Sequence, residues 1–332
     1  MADDRLSLFD FAESKAPNGT IAQTIELLNQ LSPVIEDAYA EPGNAPYGNR
    51  TTIRTSLPTV GTTKLNKGTP RSKSGKASIT DAFGIYSGRA EIDARHKDVE
   101  GVAAYAQMRA DENAAFREAL AQRVTTDYFY GDTALDEASF DGLGPRMAAL
   151  NQGASLIDPQ VWSMGAVVGG DGCSMFVSDW GDRALKLGFP PNTVSGLTVK
   201  DLGDIPVSDD DGNSMQAGTT LYDWYVGLIV KDRRHMARLA NIDLSDALLD
   251  APTQGKIFDK MEQIFSLMPE PAGAMRVIYC PLRLYAGFLK QARTVSNLAL
   301  SMGEHMGKPT PMMWGYPLRR SDRLSITEGT VA

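Results

Sequence analysis

Two cysteines, Cys173 and Cys280, stand among 332 residues. They can build no disulfide framework, no CxxC pair exists to hold a metal, and so thin a complement suits a reducing compartment. Histidine is nearly as scarce. His96, His235 and His305 lie far apart, with no HExxH or H-x-H pairing, which argues against histidine-based zinc chemistry. The simpler reading is three surface or interface histidines. No run of about 18 apolar residues occurs, so no membrane-spanning helix is expected. The start, Met1–Arg5, lacks the basic and apolar regions of a signal peptide. Positive charge is in deficit overall, with 33 Lys and Arg against 41 Asp and Glu and a net charge of −8. That balance disfavours a protein whose whole surface grips nucleic acid, while leaving room for a local basic patch.

Catalytic motifs are missing as well. Residues 68–77 superficially resemble a P-loop. However, six residues separate Gly68 from Gly75, and Ala77 stands where a magnesium-holding hydroxyl is needed. The glycines at 165, 169, 170 and 172 have the wrong spacing for a dinucleotide loop, and the next residues, Cys173–Val177, read as a strand instead of a helix. Asp209, Asp210, Asp211 and Gly212 suggest a calcium loop. Its closing glutamate would fall on Gly218, so a hairpin turn is the better reading. No GxSxG occurs. No catalytic residue, metal ligand or cofactor site is expected, and no enzymatic role.

The chain does carry an ordinary globular composition, 42% hydrophobic and 22% charged, enough for one large domain or two smaller ones. Residues 1–50 hold one short helical candidate, Ile21–Leu31, closed by Ser32 and Pro33. The remainder is turn-rich, as in an extended arm. Residues 51–95 change character. Thr51–Leu57 and Ile79–Tyr86 are β-prone. Between them Lys64, Lys67, Arg71, Lys73 and Lys76 occur without one acid. Too poor in apolar residues to fold on itself, this stretch reads as a long hairpin with a basic tip. It is either a solvated loop or an arm that finds acidic surface on another subunit.

Residues 98–130 form the longest helix candidate. Val99, Val102, Tyr105, Met108, Phe116, Leu120, Val124 and Tyr128 fall near the helical period, over roughly 45–50 Å, with Gly131 as the stop. So long a helix suggests a spine across an extended molecule. Residues 131–160 read as irregular, with Gly142–Pro145 as a breaker. Strands are expected at Val161–Val168, Cys173–Val177 and Thr220–Val230, the last apolar enough to be buried on both faces. The charged run Lys231–His235 comes next and is expected to be exposed. Residues 190–219 read as loops and hairpins. Thr253 caps a helix ending at Pro269. A strand Met275–Cys280 leads through Pro281 into a helix reaching about Gly303. Trp314–Ile326 alternates like a final strand.

Two of these segments resemble parts of a known family when taken together. Met275–Leu289 resembles the strand–Pro–helix unit in the domain nearest the capsomer axis of tailed-phage coat proteins. Trp314–Asp322, with Gly315 and Pro317, resembles the Gly-x-Pro strand that comes after it. Asn49–Val60 with Lys64–Gly68 is similar to the arm-to-hairpin junction of major capsid proteins of short-tailed phages, and Trp224–Ile242 to a strand segment of the same proteins. The four occur in the right order. The resemblance implies an α+β chain with the Hong Kong 97 (HK-97) phage coat fold: N-terminal arm, extended β-hairpin loop, long spine helix in a peripheral domain, and α/β axial domain. The strand-rich insert at 161–250 makes rearranged connectivity an expectation too, and no cleaved pre-segment or cross-link is expected.

The implied division is arm 1–50, hairpin 51–95, peripheral domain 96–252 and axial domain 253–332. The implied function is that of a virion major capsid protein, self-assembling as hexamers and pentamers into an icosahedral shell around phage double-stranded DNA. The resemblance brings a T=7 lattice with it; the residues themselves fix no triangulation number. Portal, scaffolding and decoration proteins are the implied partners, DNA is enclosed without sequence-specific binding, no membrane is involved, and assembly takes place in the bacterial cytoplasm. The hairpin cations, with Arg233, Arg234, Arg319 and Arg320, are the expected intersubunit contacts. An unrecognised α/β enzyme and a non-viral shell protein of the same fold are the alternatives.

Overall fold

Apolar and aromatic residues crowd into a few strands, and those strands form the centre of the molecule. A computed structural model describes residues 32–165, 172–208, 212–244, 251–271, 273–294 and 300–332. In chain order, α1 (Pro33–Asp37) precedes β1 (Ala40–Pro42), β2 (Gly48–Ser56), β3 (Gly75–Ala82) and β4 (Gly84–Asp93). Then come α2 (His96–Glu100), α3 (Val102–Tyr130), α4 (Leu143–Arg146), β5 (Gln160–Ser163), β6 (Gly172–Trp180), β7 (Leu185–Phe189), β8 (Leu197–Ser208), β9 (Ser214–Val230) and β10 (Met236–Asp243). The chain continues with α5 (Ala251–Leu267), β11 (Met275–Cys280), α6 (Leu282–Thr294), β12 (Leu300–His305), β13 (Lys308–Met313) and β14 (Tyr316–Arg320).

Every residue of β6 is buried. Phe176 and Trp180 point into one core with Tyr128, Phe129 and Tyr279. Met175 and Val177 point into a second core with Ile257, Met261 and Phe288. One face of the sheet is thus covered by the end of α3 and the other by α5 and α6. β6 pairs antiparallel with β10 and β11, and β11 pairs parallel with β14. β13 and β12 extend that side. On the other side β6 meets β7, which pairs with β9, and β9 carries β4 and β8. With β1 parallel to β7 and β5 parallel to β10 they form one 12-stranded sheet. Residues beyond 253 therefore share this sheet with strands between 160 and 243.

The spine is shorter than its apolar spacing suggests. Gly101 adopts φ 89°, where only glycine is at ease, and it separates α2 from the 29-residue α3. At 1.5 Å per residue α3 is about 43 Å long. Val99 and Val102, expected on the apolar face, are 64% and 72% exposed. Burial begins at Tyr105, over Ile92 and the glycine of β9 at 218, where a Cβ would meet the Tyr105 hydroxyl. Phe116 is half-buried and stacks on Tyr222, ring centroids 5.4 Å apart. Leu120, Val124, Tyr128 and Phe129 enter the main core. The helix ends at Gly131, and only glycine fits there because a Cβ would lie 2.4 Å from the Phe140 carbonyl oxygen.

Other expectations need correction. Pro33 stands at the first helical position of a further short helix, α1. The glycines around Pro145 permit the short helix α4, since Gly144 packs 2.8 Å, at its would-be Cβ, from the Phe129 carbonyl. Residues 190–219 hold the whole of β8, a 12-residue strand pairing with β9. α5 starts at Ala251, so Thr253 lies inside it and not at its N-cap position. Gly303 sits in β12 and not at a helix end. In the last segment Trp314 and Gly315, both at positive φ, make a turn, and only Tyr316–Arg320 is strand. The candidate helix Ile21–Leu31, residues 166–168 of the strand expected at Val161–Val168, and Asp209–Asp211 lie outside the described residues.

Candidate assembly surface

β2 and β3 pair antiparallel from Gly48↔Ala82 to Ser56↔Gly75 and form a sheet of their own. Two-stranded ribbons are marginal in water by themselves. This one carries Arg50, Arg54, Lys64, Lys67, Arg71, Lys73 and Lys76, and residues 42–80 contain no carboxylate side chain. Residues 54–73 are exposed without exception. Among them Leu57, Val60 and Leu65 are 76%, 90% and 96% exposed. Arg54 lies directly opposite Lys76, a like-charge pairing that weakens a ribbon. The five cations singled out in the sequence are thus gathered on one projecting element, with apolar side chains between them.

The root of the hairpin is built differently. The β-prone run expected at Ile79–Tyr86 divides at Phe83, so that β3 belongs to the hairpin and β4 to the main sheet. Asp81, 2% exposed, accepts the Val230 N–H at 3.1 Å and pairs with Arg146 at 2.9 Å. Phe83 rests on a glycine floor: a Cβ on Gly188 or Gly227 would lie 2.6 Å from its ring. A cavity of roughly 330 Å³ beside the root is lined by Arg50, Lys186, Lys231 and Glu41. Lys186, fully buried, pairs there with Glu41 and Asp182.

The four other expected contact residues are scattered, and each meets a carboxylate of its own chain. Arg233 pairs with Asp158 at 3.2 Å, Arg234 with Asp232 at 2.6 Å, and Arg320 with Asp322 at 2.6 Å. Arg319 is 8% exposed and bridges Glu36 and Asp37 of α1. Asp37 also accepts the Tyr279 hydroxyl at 3.1 Å and meets His305 Nε2 at 3.1 Å. The arm is thereby clamped to β11, β12 and β14. The hydrogen bond from Arg319 holds the Glu36 carboxyl below its ordinary range.

The histidines are not surface residues. His96 and His305 are buried, and His235 meets Asp179 at 2.7 Å, which Arg276 also grips through two hydrogen bonds. The charged run 231–235 is therefore only partly exposed. Sequence reasoning missed Asp37, Asp81, Arg146 and Asp179. For Asp81 a signal was present: it is the first acid after the acid-free stretch 42–80. Among the described residues no group of three or more His, Cys, Asp or Glu could hold a metal. Both cysteines are buried, and burial pushes the Cys173 thiol up to about 12.

The two-stranded ribbon of β2 and β3 is a sheet apart from the main one, with residues 54–73 fully exposed. The sequence profile of the family Major capsid protein GP7 matches residues 16–332, and the chain belongs to that family. It is a structural protein of a phage capsid shell. No curated protein sequence matches it. Among solved structures, a chain of bacteriophage epsilon15 is similar at 23% identity and TM-score 0.71, covering 97% of this chain and 96% of its own. The bacteriophage JBD30 capsid is similar at 10% identity and TM-score 0.52, covering 90% and 93%. These likenesses show the α+β HK-97-like fold.

Proposed function

We propose that this chain tiles an icosahedral shell around packaged double-stranded phage DNA, as hexamers and pentamers assembled in the bacterial cytoplasm. The observation that carries this reading is the projecting hairpin. Residues 54–73 lie exposed along their whole length, so their ordering comes from a neighbour. In this reading the cations at 64, 67, 71, 73 and 76 are the intersubunit contacts. Arg319 instead secures the arm within the subunit. The segments 1–50, 51–95, 96–252 and 253–332 act as arm, hairpin, peripheral and axial parts. Portal, scaffolding and decoration proteins complete the particle, and the net negative charge keeps the wall from gripping DNA tightly. The protein catalyses no reaction.

Weak contacts repeated around every ring add up through multivalency, so the hairpin can be decisive even though each exposed ion pair contributes only about 0–1 kcal/mol. The test is electron microscopy of the purified protein beside a variant with residues 58–73 replaced by a short Gly-Ser turn. Shells or rings from the first and a folded, soluble monomer from the second are expected. A wild-type protein that stays monomeric at high concentration, with its hairpin resistant to protease, would overturn the reading.

A further inference from the structure

The hairpin tip needs an acceptor, and among the described residues the loop after α3 presents a surface with matching chemistry. Between Gly131 and Asp141 the chain carries Asp132, Asp136, Glu137 and Asp141 and no basic residue. At its centre Leu135 is 88% exposed. An apolar side chain in an acidic frame thus faces solvent, and the tip offers the converse: Leu57, Val60 and Leu65 in a basic frame. The loop is held in shape before any partner arrives. Asp132 accepts the Ala134 N–H at 2.8 Å, Asp136 accepts the Ala138 N–H at 3.1 Å, and Asp141 accepts both the backbone N–H and the hydroxyl of Thr133. Asp136 is partly compensated by Arg123 at 3.0 Å. Among the described residues no cation pairs with Asp132 or Glu137.

The tip cannot reach this loop in its own chain. The Ala138 carbonyl accepts the Ile85 N–H, which places the loop at the root of the hairpin. The eight steps from Gly48 to Ser56 carry the tip about 26 Å away from that root. We propose that the hairpin tip of one subunit docks on the 131–141 loop of a second copy, with Leu135 seated among Leu57, Val60 and Leu65 and the charges paired around them. The inference rests on the shell reading above and names its acceptor. A tip-to-root contact is head-to-tail, and such contacts close into rings when the rotation between copies allows. The rival acidic stretch on β8 is already satisfied, because Asp201 pairs with Arg109 and Asp204 with Lys97.

Cysteine pairing tests this directly, since both native thiols are buried and disulfide formation demands Cα atoms within about 7 Å. Full-length Leu65→Cys, Leu57→Cys and Leu135→Cys are made singly, and Leu135→Cys is combined with each tip variant. Leu65→Cys with Val99→Cys is the control, because Val99 is also exposed and next to acids. Particles are treated with a mild oxidant and run on a non-reducing gel. A covalent ladder from at least one tip–135 pair, at least tenfold stronger than from the singles or the control, is expected. Particles that form normally with no tip–135 ladder, or with a ladder from the control alone, overturn the acceptor while leaving the shell reading intact. Should the double variants fail to assemble, the reciprocal charge exchange decides: Lys64→Glu with Lys67→Glu and Glu137→Lys should each reduce assembly at low salt, and their combination should restore it. No restoration overturns the proposal. If the wild-type protein forms no particles, the shell reading fails and the acceptor with it.

Discussion

The hairpin and the central strand β6 sit in one subunit and obey opposite rules. β6 has no exposed residue, and its side chains alternate between two cores. Outward of Asp81 the hairpin has no core at all: seven cations, no carboxylate, three apolar side chains in water and a like-charge pair across the strands. β6 is determined by its own chain, because burial of apolar area supplies the driving force wherever the sheet is covered on both sides. The ribbon is determined by what it will meet. The boundary between the two regimes is narrow and lies at Asp81 and Phe83, where a buried ion pair and a glycine floor fasten the ribbon to the sheet.

Breaking the interior side of this comparison should give the largest effect. Phe176 is fully buried against Phe129, ring centroids 5.4 Å apart, with the Arg238 guanidinium 5.2 Å from its ring. Phe176→Ala should cost about 3–5 kcal/mol and lower the Tm of the isolated subunit by on the order of 10 °C. An unchanged melting curve would show that β6 is not the centre of the core. At the boundary, Asp81→Ala strands the Val230 N–H and the Arg146 guanidinium and should cost about 1–3 kcal/mol. Faster amide exchange at Val230, with the ribbon's own exchange unaltered, is the expected signature. Equal protection at Val230 in both proteins would remove Asp81 from the fastening.

The same contrast explains what was legible in the sequence. Apolar runs disclosed β6, β9 and β11 because burial leaves its mark on composition, and the acid-free stretch disclosed the ribbon. The spine was legible from Tyr105 onward. Its first turn was not, since Val99 and Val102 keep the helical spacing yet have no neighbour to bury them, and spacing alone does not report a neighbour. Arg319 looked like another surface cation. Its burial comes from α1, nearly three hundred residues away in the chain, and no local pattern encodes such a partner. Leu135 went unread for the converse reason: a lone leucine among acids in an irregular stretch carries no period.

The clamp on the arm should respond to acid, more modestly. Arg319 and Lys308 hold the Glu36 carboxyl below its ordinary value of 4.5. A carboxylate with a depressed folded-state pKa contributes stability that is fully present above the ordinary value and is lost as pH falls through the lowered one. Proteolysis after residue 37 should therefore be constant from pH 7 to about pH 5 and rise below about pH 4.5. Glu36→Gln should flatten that rise. A rise of the same size and midpoint in Glu36→Gln would assign the acid response elsewhere.

The smallest effect is the most diagnostic, because it should move two measurements in opposite directions. Lys76→Glu turns the Arg54–Lys76 pair from repulsive to attractive, worth roughly 0.2–1 kcal/mol for directly opposed residues. The ribbon of the isolated subunit should gain order, with amide exchange in β2 and β3 slowed about 1.5- to 5-fold, each 1.4 kcal/mol being a factor of ten. Assembly should weaken at the same time, most at low salt, since a negative charge now meets an acidic neighbour and screening relieves it. Slower exchange with unaltered assembly would place position 76 outside the interface. Unaltered exchange would mean that the opposed charges already avoid each other in water. Opposite movement requires that the ribbon's charge be matched to a partner surface at the expense of its own folding, which is what separates this element from β6.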